Sequence, residues 1–166
     1  MASKDSSFDI VSEVDLQEVD NAYQQTTKEL AQRYDLKDAH ASIEFNKDRR
    51  TVTVLAPSEF VASQVTDIFT TRLIRRKIDV KAISWGKPEN ASGGNIRLVG
   101  ALVNGIDQDL AKKISKDIRD AKFKVKVTVE GDKLKVSSPS KDALQEVIAF
   151  VRNKDYGQPL QFSNYR

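Results

Sequence analysis

Between Phe123 and Ser140 the chain alternates apolar and polar residues. Phe123, Val125, Val127 and Val129 interleave with Lys122, Lys124, Lys126 and Thr128, the period of a strand with one buried and one open face. Glu130, Gly131 and Asp132 interrupt the pattern. Leu134 and Val136 then alternate with Lys133, Lys135 and Ser137, so the stretch predicts a β-hairpin. Pro139 ends it, and Ser140 predicts the N-cap of a following helix, because its hydroxyl can accept from a free backbone N–H of the first turn. The same phrase stands earlier in the chain, ASIEFNKDRRTVTVLAPS, offset by 82 residues from Pro57 to Pro139. Ile43 then matches Val125, Phe45 matches Val127, Val52 matches Leu134, Val54 matches Val136 and Ser58 matches Ser140. Recurrence in register predicts an internal duplication.

The remaining periodicity completes two similar halves. Residues 8–14 predict a first strand. Asp15 and Glu18 start a long helix to about Leu36, with Leu16, Val19, Tyr23, Thr26, Leu30 and Tyr34 on its apolar face. Ser58 starts a second helix with Phe60, Val61, Val65, Ile68, Phe69 and Leu73 inward, and residues 80–85 form a short strand. Residues 86–95, GKPENASGGN, read as a linker. Residues 96–103 form a strand, Asn104 and Gly105 a turn, and Asp107 begins a third helix with Ile106, Leu110, Ile114 and Ile118 on one side. The fourth helix follows Ser140 with Leu144, Val147, Ile148 and Val151 inward, and residues 160–165 close the chain as a strand after a turn at 156–159. Each half reads β-α-β-β-α-β. The expected fold is α+β, a tandem of two ferredoxin-like domains, the frame also of RNA-recognition domains, with helices on one sheet face and the other face open.

Composition narrows the function. With 166 residues the chain fits one ordinary domain or two small ones, and with no Cys it has no disulfide or thiol chemistry. The first residues lack an apolar secretory core and no run approaches a membrane span, so a cytoplasmic protein without a membrane partner is expected. The net charge of +3 is uneven: residues 1–91 carry 13 Lys and Arg against 15 Asp and Glu, and residues 92–166 carry 14 against 9. The second half is therefore the one expected to meet an anion. Its hairpin places Lys124, Lys126, Lys133 and Lys135 where the first hairpin has Ser42, Glu44, Thr51 and Thr53. Such a face attracts polyanions; equally, lysines on an edge strand block edge-to-edge pairing.

Catalytic signatures are missing. His40 is the only histidine, which leaves no His-based metal site or triad. Gly93 and Gly94 are not followed by the Lys and Ser or Thr of a phosphate loop. A binding module with no cofactor is expected rather than an enzyme. The third strands of both halves lack the aromatics on which RNA-recognition domains stack bases; only Phe8, Phe162 and Tyr165 are placed to stack, and alternation puts Tyr165 on the face opposite Phe162. Arg152 and Asp155 form an R-x-x-D tetrapeptide, and Arg72, Arg75, Arg76 and Lys77 crowd a helix end, where cations suit the negative end of the dipole.

The two chain ends carry a resemblance. SFDIVSE at 7–13 and GQPLQFSNYR at 157–166 resemble the YajQ family of bacterial proteins, over nearly the whole chain. The resemblance implies tandem ferredoxin-like domains that exchange N-terminal strands, one spanning 15–104 and the other 1–14 with 105–166; without exchange the domains are 7–87 and 95–166. It implies a nucleotide partner (cyclic di-GMP, GTP or ATP) or RNA, with a regulatory protein as a further partner, and no established reaction. An adaptor binding proteins through its open sheets is the alternative. Exchange would bring Phe8, Asp9 and Ser12 beside Gln161, Phe162 and Tyr165. The expected nucleotide site then includes Ser12 and has Asp9, Gln158, Gln161 and Asn164 for a base edge, Phe8, Phe162 or Tyr165 for stacking, and Arg152 and Arg166 for phosphate, with Lys124, Lys126 and Lys135 as an anion surface. Phe8 shares a strand face with Ile10, and Phe162 with Leu160, which favours a core role for both phenylalanines.

Overall fold

A computed structural model describes residues 5–166. The chain divides into two compact units, Val14–Val103 and the stretch up to Glu13 together with Asn104–Arg166. Both are α+β, with one antiparallel sheet and helices over one of its faces, an arrangement consistent with ferredoxin-like domains.

In the first unit, α1 (Leu16–Gln32) is capped by the Asp15 carboxylate, which accepts from the N–H groups of Gln17 and Glu18. A short α2 (Tyr34–Asp38) follows. The sheet runs β2 (Ser42–Asn46), β3 (Thr51–Ala56), β6 (Ile96–Leu102), β4 (Ile83–Trp85), with α3 (Glu59–Arg75) between β3 and β4 in the chain. Along β3, Val52, Val54 and Ala56 are buried while Thr51, Thr53 and Leu55 are partly open, so the period of two maps onto one core face. Val19, Ala22 and Leu30 of α1 and Val65, Phe69 and Leu73 of α3 close that core.

Three expectations need correction here. The long helix breaks at Arg33, whose backbone is extended, so Tyr34 is 80% exposed and Leu36 fills the core instead. Phe60 is 72% exposed, because the buried row of α3 starts at Ala62; two residues earlier lies about 200° round the helix. The 86–95 stretch does not separate the units. It folds back as β5 (Glu89–Asn90) onto Arg97 and Ile96 of β6, and the Gly86 N–H donates to the Val99 carbonyl at 2.8 Å.

In the second unit the sheet order is β7 (Lys126–Glu130), β8 (Lys133–Ser138), β1 (Ser6–Val11), β9 (Gln161–Ser163). Helices α4 (Gln108–Asp120) and α5 (Lys141–Arg152) are capped by Asp107 and Ser140, which accept from the N–H groups of Leu110 and Ala143. Phe8, Ile10, Leu134, Val136, Ile114 and Val147 are all 0% exposed and form the core. The two hairpins differ in register. Phe45 pairs with Val52, but Val127 pairs with Val136 rather than Leu134. The second hairpin turns on Gly131 and Asp132 alone, with Gly131 at φ +62°, whereas four residues connect β2 to β3. The shift of two residues keeps every side chain on its own face.

Gly105 lies in the loop before α4 and meets the chain just past β1. Its φ is +86°, a Cβ there would stand 2.6 Å from Asp132 Oδ2, and its N–H donates to the Ser12 carbonyl at 2.8 Å. Gly105→Ala is therefore expected to destabilise this unit by about 1–3 kcal/mol, read as a Tm loss of at least several degrees in a thermal melt; an unchanged Tm would contradict the tight turn. Among the described residues no helix is long and apolar enough to cross a membrane.

Candidate functional site

The chain ends meet in the second unit. β1 pairs antiparallel with β8 on one side and β9 on the other, so Asp9 stands opposite both Lys135 and Ser163. One step further the register changes. Ser7 exchanges backbone hydrogen bonds with Arg166, at 3.2 and 2.9 Å, and not with Tyr165. One extra residue has entered the C-terminal strand, and Asn164 takes it up at φ +55°; this is a β-bulge. The bulge reverses the expected alternation. Phe162 and Tyr165 both lie beside Phe8, with ring centres 5.9 and 6.2 Å away. Phe8 is 0% exposed, Phe162 is partly buried and Tyr165 is 58% exposed. Phe8 is thus a core residue with no ring face to offer, and Tyr165 alone presents an open ring.

Most of the polar candidates are engaged within the fold. Asn164 donates to the Asp9 carboxylate at 2.7 Å, and Lys133 pairs with the same carboxylate at 3.2 Å. Gln158 donates to the Ser12 hydroxyl at 2.7 Å and to the Gly105 carbonyl at 2.9 Å, and the Ser12 hydroxyl donates to the Pro159 carbonyl at 2.5 Å. Gln161 clasps the backbone of Glu13, accepting from its N–H and donating to its carbonyl. The Arg152 guanidinium lies over the Phe162 ring at 5.3 Å, and Asp155 accepts from the Gly157 N–H at 2.9 Å. These residues pin β1, β9 and the turn before β9 together.

Asp9 is the most telling of them. Burial pulls its pKa up, but the Asn164 and Lys133 hydrogen bonds and the charges of Lys133 and Arg166 outweigh that and leave it below the usual carboxylate value. A depressed folded-state pKa gives stability that is present above the unfolded pKa, about 4, and is lost as pH falls through the folded value. Asp9→Asn should therefore lower the Tm at pH 7 and remove part of the protein's acid sensitivity below pH 4; equal acid slopes for parent and variant would contradict this.

A cavity does open at the chain ends. It holds about 250 Å³ and is lined by Ser6, Ser7, Lys141, Leu144, Gln145, Tyr165 and Arg166. It combines an exposed phenol ring, a guanidinium, an ammonium and the first turn of α5, where the helix dipole favours an anion although Ser140 already takes the Ala143 N–H and Asp142 adds a negative charge. Tyr165 and Arg166 were legible as candidates from the sequence. Lys141 and Gln145 were not: the helix start at Ser140 was readable, but not that it abuts the C-terminal strand.

The lysine face is split by its pairings. Lys126 lies opposite Ser137, which lies opposite Ser7, which pairs with Arg166. One row across the sheet thus runs from Lys126 through the buried Ser7 to Arg166, three strand spacings or about 14 Å. Lys135 sits in the next row opposite Asp9, and Lys124 precedes the strand. Among the described residues no three His, Cys, Asp or Glu side chains gather as a metal site.

A family described as "Nucleotide-binding protein YajQ-like" matches residues 6–166. Among the relatives, a protein of Endomicrobium trichonymphae named "Nucleotide-binding protein" is 45% identical over 160 residues, covering 96% of this chain and 97% of its own. A protein of Chloroherpeton thalassium with the same name is 44% identical with the same coverage. Another, of Alkaliphilus oremlandii, is 44% identical over 164 residues, covering 99% of both chains.

Proposed function

The chain belongs to the YajQ-like family, and on that premise we propose that it is a non-catalytic nucleotide-binding protein whose site is the cavity at Tyr165, Arg166 and Lys141. The observation that carries the reading is the meeting of a stackable ring with two cations at the first turn of a helix, in one 250 Å³ cavity. The base stacks on Tyr165. Arg166 and Lys141 hold phosphate, with the α5 N-terminus adding its partial charge. Gln145, Ser6 and Ser7 supply donors and acceptors for the sugar or base edge. At about 250 Å³ the cavity is small for a whole cofactor, so it takes one nucleotide unit. The rest of a cyclic dinucleotide or RNA strand would extend from Arg166 towards Lys126, at the two ends of the row across the sheet.

The test is a thermal-shift panel of ATP, GTP, cyclic di-GMP and a transfer RNA, since a ligand that prefers the folded state raises the Tm. Tyr165→Ala and Lys141→Gln should each weaken the responding ligand about tenfold or more, for a loss of about 1.4–3 kcal/mol. Lys126→Gln should weaken RNA and leave a mononucleotide unaffected. Folded Tyr165 and Lys141 variants that bind as tightly as the parent would remove the site from this cavity. Binding that ignores salt would favour the adaptor reading instead, because phosphate contacts weaken steeply with salt.

We further read the two units as copies of one ferredoxin-like domain with exchanged first strands. In support, Ser58 and Ser140 cap equivalent helices, His40 and Lys122 take positive φ at equivalent positions before the hairpins, and the two sheets share one strand order once β6 and β1 are taken as first strands.

A further inference from the structure

We propose a second phosphate-binding site, in the unit Val14–Val103, in the groove between α1 and the C-terminal turn of α3. Two adjoining cavities share Arg72 and Arg75 there, of about 340 and 360 Å³. The second is lined by Arg72, Arg75, Arg76 and Lys77 with Gln25 and a single carboxylate, Glu18. The α3 dipole accounts for about half a unit of negative charge, so four cations in six residues exceed what the helix end calls for.

The pairings show which of them are free. Glu29 of α1 holds Arg72 at 2.7 Å, and Glu18 holds Arg76 at 3.3 Å. Those ion pairs fix two guanidinium groups at the groove wall. Arg75 and Lys77 are exposed, and neither is in an ion pair with a described residue. Arg76 also buries its Nε with no hydrogen-bond partner among the described residues.

Lys77 adds a separate observation. It occupies the left-handed residue after α3, at φ +63°, while Ile78 N–H reaches back to the Leu73 carbonyl at 3.0 Å and Lys77 N–H to Ile74 at 2.9 Å. That closure usually takes Gly. A lysine there keeps a cation at the groove mouth at the expense of backbone strain. The matching chemistry is a chain of phosphates, which guanidinium groups hold with paired hydrogen bonds and which brings the charge that Arg75 and Lys77 lack. A free oligophosphate and an RNA backbone both supply it.

The experiment uses the full chain with inorganic triphosphate and, separately, a labelled oligouridylate. The double variant Arg75→Gln, Lys77→Gln should weaken one or both at least about tenfold, with the Tm held and with the effect persisting in a Tyr165→Ala background. Weakening of triphosphate identifies a free phosphate chain, and weakening of the oligomer alone identifies a polymer backbone. Lys77→Gly should raise the Tm by a few degrees while weakening the same reagent. The proposal is overturned if the parent binds neither reagent, if the double variant binds both as the parent does, or if its only effect is a lower Tm, the result expected of plain helix-end charges. A Tyr165→Ala variant that loses nucleotides but keeps triphosphate separates this site from the cavity at the chain ends.

Discussion

A fragment of residues 14–103 should fold and melt cooperatively on its own, whereas residues 104–166 should do so only when residues 1–13 are supplied. In the sheet of the latter unit, β1 lies between β8 and β9. Removing it deletes the ladder on both sides and leaves β9, three residues long, with no partner. It also removes Phe8 and Ile10, both 0% exposed, and burial of each contributes about 1.5–3 kcal/mol. That loss is comparable to the net stability of a small domain, about 5 kcal/mol upward. A peptide of residues 1–13 added in trans should restore a cooperative melt and near-ultraviolet dichroism. Cutting at the glycine-rich stretch instead gives 7–87, which lacks β6 between β3 and β4, and 95–166, which lacks β1. Both should stay loosely packed and bind a hydrophobic dye. If 7–87 melts as cooperatively as 14–103, then β1 can replace β6, and the pairing is chosen by connectivity rather than by the strands themselves.

That contrast marks where the sequence is informative and where it is silent. Local pattern was legible wherever one face alone is buried: the valines of β3, the serine caps at 58 and 140, and the Gly131 turn all stand as the alternation and capping rules require. Partner choice was not legible, because β1 and β6 are both short apolar strands and nothing in either spells out its neighbours. Edges of helical stripes failed for a related reason. Phe60 and Tyr34 are apolar and near the stripe, but one lies off the buried row and the other beyond a break at Arg33. At the chain ends, the engagement of the polar side chains could not be read from their residue types. Asp9, Ser12, Gln158 and Asn164 looked like recognition groups, yet their hydrogen bonds fasten the chain ends. The bulge at Asn164 could not be read from alternation, and it decides where Tyr165 points.

Phe8→Ala should cost about 3–5 kcal/mol, the range for removing a fully buried aromatic ring, while Tyr165→Ala should cost less than about 1 kcal/mol. The two rings are 6.2 Å apart but differ in burial, at 0% and 58% exposed. Phe8 sits at the sheet centre with Phe162 edge-on at 5.9 Å, so its removal leaves a cavity that its strand neighbours cannot fill. Urea titrations should show the midpoint falling sharply for Phe8→Ala at an unchanged slope, and hardly moving for Tyr165→Ala. Phe8→Leu separates packing from binding. It keeps most of the core volume and should cost about 1–2 kcal/mol, but it takes away the surface on which Tyr165 is seated. Nucleotide affinity should then fall by less than in Tyr165→Ala and more than in a distant core change such as Val65→Ala in the other unit. Equal affinity in Phe8→Leu and Val65→Ala would mean that Tyr165 is held by its own backbone bulge and needs no support from the core.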